Sequence, residues 1–187
     1  MCGIVGYVGD EGKTVNVLME GLSRLEYRGY DSAGIALMEN GHPRVFRSTG
    51  KLENLKKKLE SHDLHGMLGI GHTRWATHGG ATENNAHPHT SGGTSVVHNG
   101  IIENYSELKE ELTAKGYEFT SDTDTEIIAH LIEDFSRQGL TFEEAFRAAF
   151  MRIEGSYAVA AISESEPDKV IATRKFSPLI VGCGEHE

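Results

Sequence analysis

Hydrophobic positions along the first third of the chain alternate between strand-like and helix-like spacing. "CGIVGYVG" is a short apolar run between glycines and predicts a strand that is buried on both faces. "KTVNVLMEGLSRL" repeats leucine and valine at helical spacing and predicts a helix. "GIALME" and "RVFRS" flank the turn-rich "NGHP" and predict a β-hairpin. "LENLKKKL" predicts a short amphipathic helix, with leucines along one side.

The rest of the chain continues with strands, then helices, then strands. "MLGIGHT" and "TSVVHN" predict strands before the helices, and "SYAVAAIS", "KVIATR" and "PLIVGC" predict strands after them. Three helices between them are indicated by a capping residue followed three positions later by a glutamate. These pairs are Asn104 with Glu107, Thr123 with Glu126, and Thr141 with Glu144. Gly116 is placed to end the first of the three.

This order of elements predicts an α+β protein built in layers. Strands cluster towards both ends of the chain and helices lie between them, without the strict strand–helix alternation of a doubly wound parallel sheet. The 187 residues suffice for one domain with a sizeable core, and no internal repeat or long linker divides them. "GCGEHE" ends the chain directly after a predicted strand, so we expect a chain that is truncated at its C-terminus.

Composition and charge indicate which partners and which cellular compartment to expect. The formal net charge of −10 argues against nucleic acid or an anionic membrane as partner, because both attract basic surfaces. No apolar run approaches the roughly 20 residues that span a bilayer, and the N-terminus lacks the pattern of a signal peptide. Only Cys2 and Cys183 are present, too few for a disulfide framework, so we expect a reducing cytoplasm.

Cys2 is the first candidate for chemistry. Removal of the initiator methionine would place a thiol and a free α-amine on one residue. A thiol pKa of about 8.5 and an amine pKa of about 7.7–8 make the neutral amine a suitable base for the thiol. That is the nucleophile-and-base pair of an N-terminal nucleophile hydrolase. The alternative is that Cys2 is a small buried strand residue.

Residues in three further segments could each have either a role in chemistry or a purely structural role. Asn99 and Gly100 could offer N–H donors to an oxyanion, or form a type I′ turn. Arg74 could bind a carboxylate, or lie on the surface beside a core Trp75. Asp124 could bind an ammonium group, or cap the helix that follows it.

Ten histidines raise the question of a metal site. The paired histidines of "GHTRWATH" and "HPH" are plausible ligands, but no zinc-protease motif, paired cysteine motif or carboxylate cluster accompanies them. The glycines of "GIVGYVG" do not have the dinucleotide-binding pattern either. We therefore expect no metal and no cofactor. The glycines at 71, 79 and 80 suit a loop that moves.

Taken together, several motifs resemble one family. "MCGIVGYVG", "LEYRGYDSAGIA", "GHTRWATHG", "NAHPH", "VVHNGIIENY" and "SDTDTE", in this order, resemble the class II glutamine amidotransferases. "EYRGYDSAG" with "HTRWATHG" is similar to the amidotransferase domain of the glutamine–fructose-6-phosphate aminotransferases in particular. The resemblance covers nearly the whole chain and implies a type 2 amidotransferase domain over residues 2–187, without the sugar isomerase region of those enzymes.

The resemblance also implies a fold and a set of roles. The fold is the four-layer α/β/β/α sandwich of N-terminal nucleophile hydrolases, with two antiparallel sheets. The implied substrate is L-glutamine, whose hydrolysis releases ammonia. The roles it implies are as follows: Cys2 as nucleophile, Asn99 and Gly100 as oxyanion hole, Arg74 for the α-carboxylate, Asp124 for the α-ammonium group, Thr77 and His78 in a closing loop, and Trp75 on the ammonia route.

For the full-length enzymes the resemblance implies conversion of fructose 6-phosphate to glucosamine 6-phosphate, and a homo-oligomer. Other readings stay open at the level of sequence. The domain could belong to another class II amidotransferase, or cleave an amide other than that of glutamine. It could also be a module that binds an amino acid without catalysis.

Overall fold

The computed structural model describes residues 2–10, 12–76 and 79–187. These described residues form eight strands: β1 Gly3–Val8, β2 Ser32–Glu39, β3 His42–Thr49, β4 Leu68–Arg74, β5 His89–Ser91, β6 Thr94–Ile102, β7 Gly155–Ser163 and β8 Glu166–Lys175. The α-helices are α1 Thr14–Leu25, α2 Leu52–Glu60, α3 Tyr105–Ala114, α4 Thr125–Arg137 and α5 Phe142–Arg152, and a 3₁₀ helix spans Glu26–Arg28. None of the described helices is long and apolar enough to cross a bilayer.

The strands form two four-stranded sheets in which every pair of neighbours is antiparallel. The N-terminal sheet has the order β1-β4-β2-β3, and the C-terminal sheet has the order β5-β6-β7-β8. The hairpin between β2 and β3 closes through Asn40 and Gly41, with φ of 52° and 81°. Positive φ at both central positions is what a type I′ turn requires, and Asn-Gly supplies it.

Helices cover the outer face of each sheet. Leucines of α1 and α2 pack on the N-terminal sheet in one apolar cluster. Residues of α3, α4 and α5 pack on the C-terminal sheet in a second cluster. A third cluster, which includes Ile70 and Val97, lies between the two sheets. The predicted four-layer α/β/β/α architecture is confirmed.

Of the strand predictions, that for β1 holds in part and another needs correction. β1 is an edge strand that pairs only with β4 among the described strands. Ile4 packs in the intersheet cluster and Val5 and Tyr7 pack in the cluster under the helices, so apolar residues cover both faces as predicted, although Val8 at the end of the strand is 42% exposed. Residues 178–183 ("PLIVGC") were predicted as a strand, but they form irregular chain, paired with no described strand, and Ile180 is 91% exposed. A short apolar run predicts a strand only where a neighbouring strand supplies its hydrogen bonds. The three residues of β5 were not predicted, because turn-forming residues surround them.

The capping predictions have mixed outcomes. The Thr141–Glu144 capping box at α5 is confirmed in both directions. The side chain of Asn104 instead donates to Arg152 O (2.8 Å) and accepts from Glu154 N (3.1 Å), so it fixes the chain after α5 rather than capping α3. The predicted pair of Thr123 with Glu126 is also wrong.

The Glu126 carboxylate holds the loop that precedes α4, which begins at Thr125. It accepts from the backbone N–H groups of Thr120 (2.9 Å) and Ser121 (2.8 Å). Gly116, with φ of 91°, follows the end of α3 as predicted. The three predicted capping pairs have the same spacing, but their side chains form three different sets of hydrogen bonds.

Candidate active site

The candidate site is the polar end of the layer between the two sheets. Side chains alternate along a strand, so residues two positions apart face the same side. Three apolar residues of the intersheet cluster each have a polar residue two positions away in the sequence. The pairs are Ile4 with Cys2, Ile70 with His72, and Val97 with Asn99. The packing that joins the sheets thereby also brings these polar groups together.

Cys2 lies partly buried against the chain that follows β4. Its Sγ accepts a hydrogen bond from Trp75 N at 3.2 Å. Burial raises the pKa of the thiol, while the Trp75 N–H and the positive charge of Arg74 act in the opposite direction. The thiol is therefore mostly protonated at neutral pH and would need a base in order to act as a nucleophile.

Asn99 and Gly100 lie within β6, paired with Ala158 and Tyr157, so the turn interpretation is wrong. Asn99 Nδ2 donates to the carbonyl oxygen of Cys2 at 3.0 Å. Gly100 has φ of 145°, and a Cβ there would lie 2.0 Å from Ser156 O. Only glycine lets the two strands approach this closely.

The surface-arginine interpretation is also wrong, because Arg74 is 5% exposed and Trp75 is 46% exposed. The guanidinium donates to Gly80 O (3.1 Å) and Gly79 O (3.4 Å). It also lies 3.7 Å from the Asp31 carboxylate. Arg74 thus joins the end of β4 to the loop that was expected to close.

The loop after β4 contains two further residues with a predicted role. Thr77 and His78, both predicted to act in it, lie outside the described residues. Gly79 has φ of 74°, as a loop glycine can. Gly71 does not belong to the loop, because it lies in β4, where a Cβ would be 3.0 Å from Leu22. Its lack of a side chain serves the packing of α1 on the sheet.

Asp124 precedes α4 but its carboxylate does not cap the helix. Oδ2 accepts from Ile102 N at 2.9 Å, and Oδ1 lies 3.8 Å from His98 Nδ1. The side chain is 28% exposed. The carboxylate is therefore turned towards β6 and remains partly accessible.

Cys2, Arg74, Asn99 and Asp124 line one cavity of about 60 Å³, together with Trp75 and Gly100. Ligand pockets are usually roughly 300–1,000 Å³. The cavity is thus smaller than a pocket that holds a ligand of drug size. Arg74 holds the loop at Gly79 and Gly80 through hydrogen bonds.

Sequence reasoning gave no site role to Asp31 or to a cluster of buried histidines. Asp31 accepts from Ala76 N, and its own N–H donates to Arg74 O at 3.1 Å, so it fixes the chain around Trp75. Burial lowers the pKa of His72 and His89 to about 3 and that of His87 well below its usual value. No group of His, Cys, Asp and Glu able to hold a metal occurs in the described part of the chain.

A signal for His72 was present in the sequence. In "LGIGHTR" the histidine has the same strand parity as Ile70, so it faces the same intersheet layer. The same reasoning places Arg74 inside and Trp75 outside. The signal for Asp31 was its place in "EYRGYDSAG", a segment too polar and too rich in small residues for core.

Comparison with known proteins agrees with this geometry. A family model described as "Glutamine amidotransferase domain" matches residues 72–185. The glutamine–fructose-6-phosphate aminotransferase (isomerizing) of Clostridium tetani is 54% identical over 100% of this chain and 31% of its own length. The enzyme of the same name from Pyrococcus horikoshii is 53% identical with the same coverage of 100% and 31%. The chain thus spans less than a third of the length of these relatives.

Among solved structures, the glutamine phosphoribosylpyrophosphate amidotransferase from B. subtilis, complexed with ADP and GMP, matches with a TM-score of 0.74 and 26% identity. The match covers 88% of this chain and 35% of that one. A protein from Silicibacter pomeroyi described as a glutamine aminotransferase class-II domain protein shares the fold at a TM-score of 0.62 and 16% identity. The fold is that of the N-terminal nucleophile hydrolases. Since the family model covers more than half of the chain, and the relatives match it from end to end, this protein belongs to the glutamine amidotransferase domain family.

Proposed function

We propose that this domain hydrolyses the side-chain amide of L-glutamine, with Cys2 as nucleophile. The observation that carries the proposal is that Cys2 forms hydrogen bonds with the Trp75 backbone and with the Asn99 side chain. Its thiol accepts from Trp75 N at 3.2 Å, and its carbonyl oxygen accepts from Asn99 Nδ2 at 3.0 Å. A nucleophile and an amide donor are thereby held side by side in one cavity.

The charges around the cavity fit the substrate. Free glutamine has an α-carboxylate, an α-ammonium group and a neutral amide. We assign the carboxylate to Arg74 and the ammonium group to Asp124, which both line the cavity with Cys2. Arg74 then exchanges loop carbonyls for a charged partner, a stronger hydrogen bond. Thr77 and His78 are proposed for the closing loop, and Trp75 for the path of ammonia.

The reaction follows from these positions. The α-amine of Cys2, free once Met1 is removed, takes the thiol proton, and the sulfur attacks the amide carbon. Asn99 Nδ2 and the Gly100 N–H stabilise the oxyanion, at about 3–4 kcal/mol per donor. The C–N bond then breaks, the proton passes to the leaving ammonia, and a γ-glutamyl thioester remains. Water hydrolyses the thioester to glutamate and restores the thiol.

The use of the ammonia is proposed for a longer protein. The two relatives compared above are named for fructose 6-phosphate, but this chain spans only 31% of their length. We propose that residues 2–187 are the amidotransferase part of such an enzyme, a homo-oligomer in the cytoplasm. There the ammonia would convert fructose 6-phosphate to glucosamine 6-phosphate.

The test is ammonia release from glutamine by the processed chain. Cys2→Ala is expected to abolish release, because it removes the thiol of the proposed nucleophile. Cys183→Ala is the matched control, since this second cysteine is exposed and outside the cavity. Full activity in Cys2→Ala would contradict the mechanism. Binding of glutamate without ammonia release by the wild type would favour a non-catalytic amino-acid-binding module. Release from other amides but not from glutamine would favour a different amidase.

A further inference from the structure

His72 lies beneath the proposed oxyanion hole and has no role in the mechanism above. It is 1% exposed and projects from β4 into the layer between the sheets. Its Nε2 lies 2.9 Å from Asn99 Oδ1 and 3.1 Å from the backbone oxygen of His98. One ring nitrogen therefore bridges the side chain and the backbone of two consecutive residues in β6.

The partners of Asn99 determine which way its amide faces. The carbonyl oxygen of Cys2 can only accept, so the atom facing it at 3.0 Å is the amide nitrogen. The amide oxygen then faces His72, and His98 O on the same ring nitrogen is also an acceptor. Nε2 must therefore carry the proton and donate. The two ends of the amide have opposite partners, so a flipped amide would lose both hydrogen bonds.

We propose that His72 is a positioning residue that holds the Asn99 amide with its NH₂ group towards Cys2, ready for the oxyanion. The inference rests on the proposed function. Nδ2 has two hydrogens, of which one is used by the Cys2 carbonyl and the other is available to the substrate. A flipped amide would instead turn a carbonyl oxygen towards the developing negative charge.

The surroundings of His72 suit this role. The ring packs against His87, with ring centres 4.0 Å apart, and is shielded from water that would compete for the hydrogen bond. Burial keeps the imidazole uncharged, with a pKa of about 3. A neutral donor directs the amide without adding a positive charge beside the thiol.

The first test compares two substitutions that differ in the donor. His72→Gln keeps an N–H near the place of Nε2, whereas His72→Leu fills the space without one. We expect His72→Leu to lower kcat for glutamine about 10²-fold, the usual loss of one oxyanion donor, with little change in KM. His72→Gln is expected to recover most of that loss. His130→Leu, which removes another buried imidazole in α4 that does not line the cavity with Cys2, is expected to keep kcat unchanged.

A second readout separates positioning from general damage to the site. Alkylation of Cys2 by iodoacetamide displaces iodide at a saturated carbon and needs no oxyanion hole. Its rate is expected to be the same in wild type and His72→Leu. Equal losses of alkylation and of kcat would indicate a merely structural role and overturn the proposal. Unchanged kcat in His72→Leu, with an active wild type, would overturn it as well.

A third measurement needs no folded variant. In ¹⁵N NMR spectra of the wild-type chain, with His72 assigned by sequential connectivity, we expect a neutral imidazole protonated at Nε2. Protonation at Nδ1 would overturn the inference. Failure of the wild type to release ammonia would count against the proposed function instead, and the two failures are thereby distinguished.

Discussion

At the scale of single residues, the site depends on how closely two backbones approach. Gly100 is the clearest case, because a Cβ there would lie 2.0 Å from Ser156 O, which cannot move without disturbing β7. We expect Gly100→Ala to abolish ammonia release and to lower the free energy of unfolding by about 2–3 kcal/mol. Urea unfolding and an ammonia assay measure the two effects.

Gly139→Ala is the matched control for that substitution. Gly139 also has a positive φ, of 95°, but nothing lies within 4 Å of the Cβ position. We expect it to lose about 1 kcal/mol of stability from backbone strain alone and to keep its activity. Equal activity in the two alanine variants would contradict a special role for the close approach at Gly100.

Met1 decides whether the proposed base exists. While Met1 is attached, the nitrogen of Cys2 belongs to a peptide bond and cannot take a proton from the thiol. Burial raises the thiol pKa, so the need for a base is all the greater. A chain that retains Met1 is expected to be nearly inactive, and an aminopeptidase is expected to restore activity. Mass spectrometry and ammonia release at equal concentration measure this, and equal rates would exclude the α-amine as base.

Several site residues could be proposed from the sequence. What the sequence could not decide was whether a given residue has a functional or a structural role. Arg74 and Asp124 each had a structural alternative that local sequence could not dismiss. For Arg74 the alternation of side chains along β4 would have decided between the two roles. Arg74 lies four positions after Ile70, so both side chains face the intersheet layer. For Asp124 nothing local decides, because its partner Ile102 N is 22 positions away.

At the scale of elements, the capping box of α5 is the cleanest local feature. Thr141 N donates to Glu144 Oε2 at 3.0 Å, and Glu144 N donates back to Thr141 Oγ1 at 3.4 Å. We expect Thr141→Ala to lower the free energy of unfolding by about 1 kcal/mol without affecting glutaminase activity. Thermal unfolding measures the effect. Thr113→Ala, exposed within α3, is the control and is expected to cost nothing.

Helices and paired strands were predictable because their periodicity is carried by many residues. α1, α2 and the hairpin of β2 and β3 are confirmed on that basis. The ends of elements were less predictable. Asn104 and Glu126 bind distant or preceding backbone rather than their own helix, and such partners are set by the tertiary fold. Residues 178–183 were mistaken for a strand because an apolar run carries no information about a neighbour to pair with.

At the scale of the whole molecule, the buried histidines link stability to pH. The pKa of His72 and His89 is about 3 in the folded state, against about 6.5 in an unfolded chain. Below pH 6.5 the unfolded chain therefore binds protons that the folded chain does not. As the pH falls from 6.5 to about 3, each of these histidines therefore lowers the free energy of unfolding by about 1.4 kcal/mol for every pH unit.

We therefore expect stability to be highest above pH 6.5 and to fall steeply between pH 6.5 and 5. Urea unfolding at pH 7.5, 6.0 and 5.0 measures the slope. Around His89, burial is the main cause of the lowered pKa, the positive charges of Arg47 and Arg74 add to it, and Glu126 opposes it. His89→Gln removes one titrating group, so its slope is expected to be smaller. Identical slopes would contradict this account.

The placement of the site between two sheets has a consequence for how the chain acquires activity. Cys2 is synthesised before its partner Asn99, which follows 97 positions later and lies in the other sheet. β1 can pair with β4 once the N-terminal sheet is made, but β6 needs β7, which begins at Gly155. Contacts of such long sequence separation form late, because the entropy of the intervening loops is lost first. In the proposed mechanism, the nucleophile therefore meets its oxyanion donor only when the two sheets pack against each other.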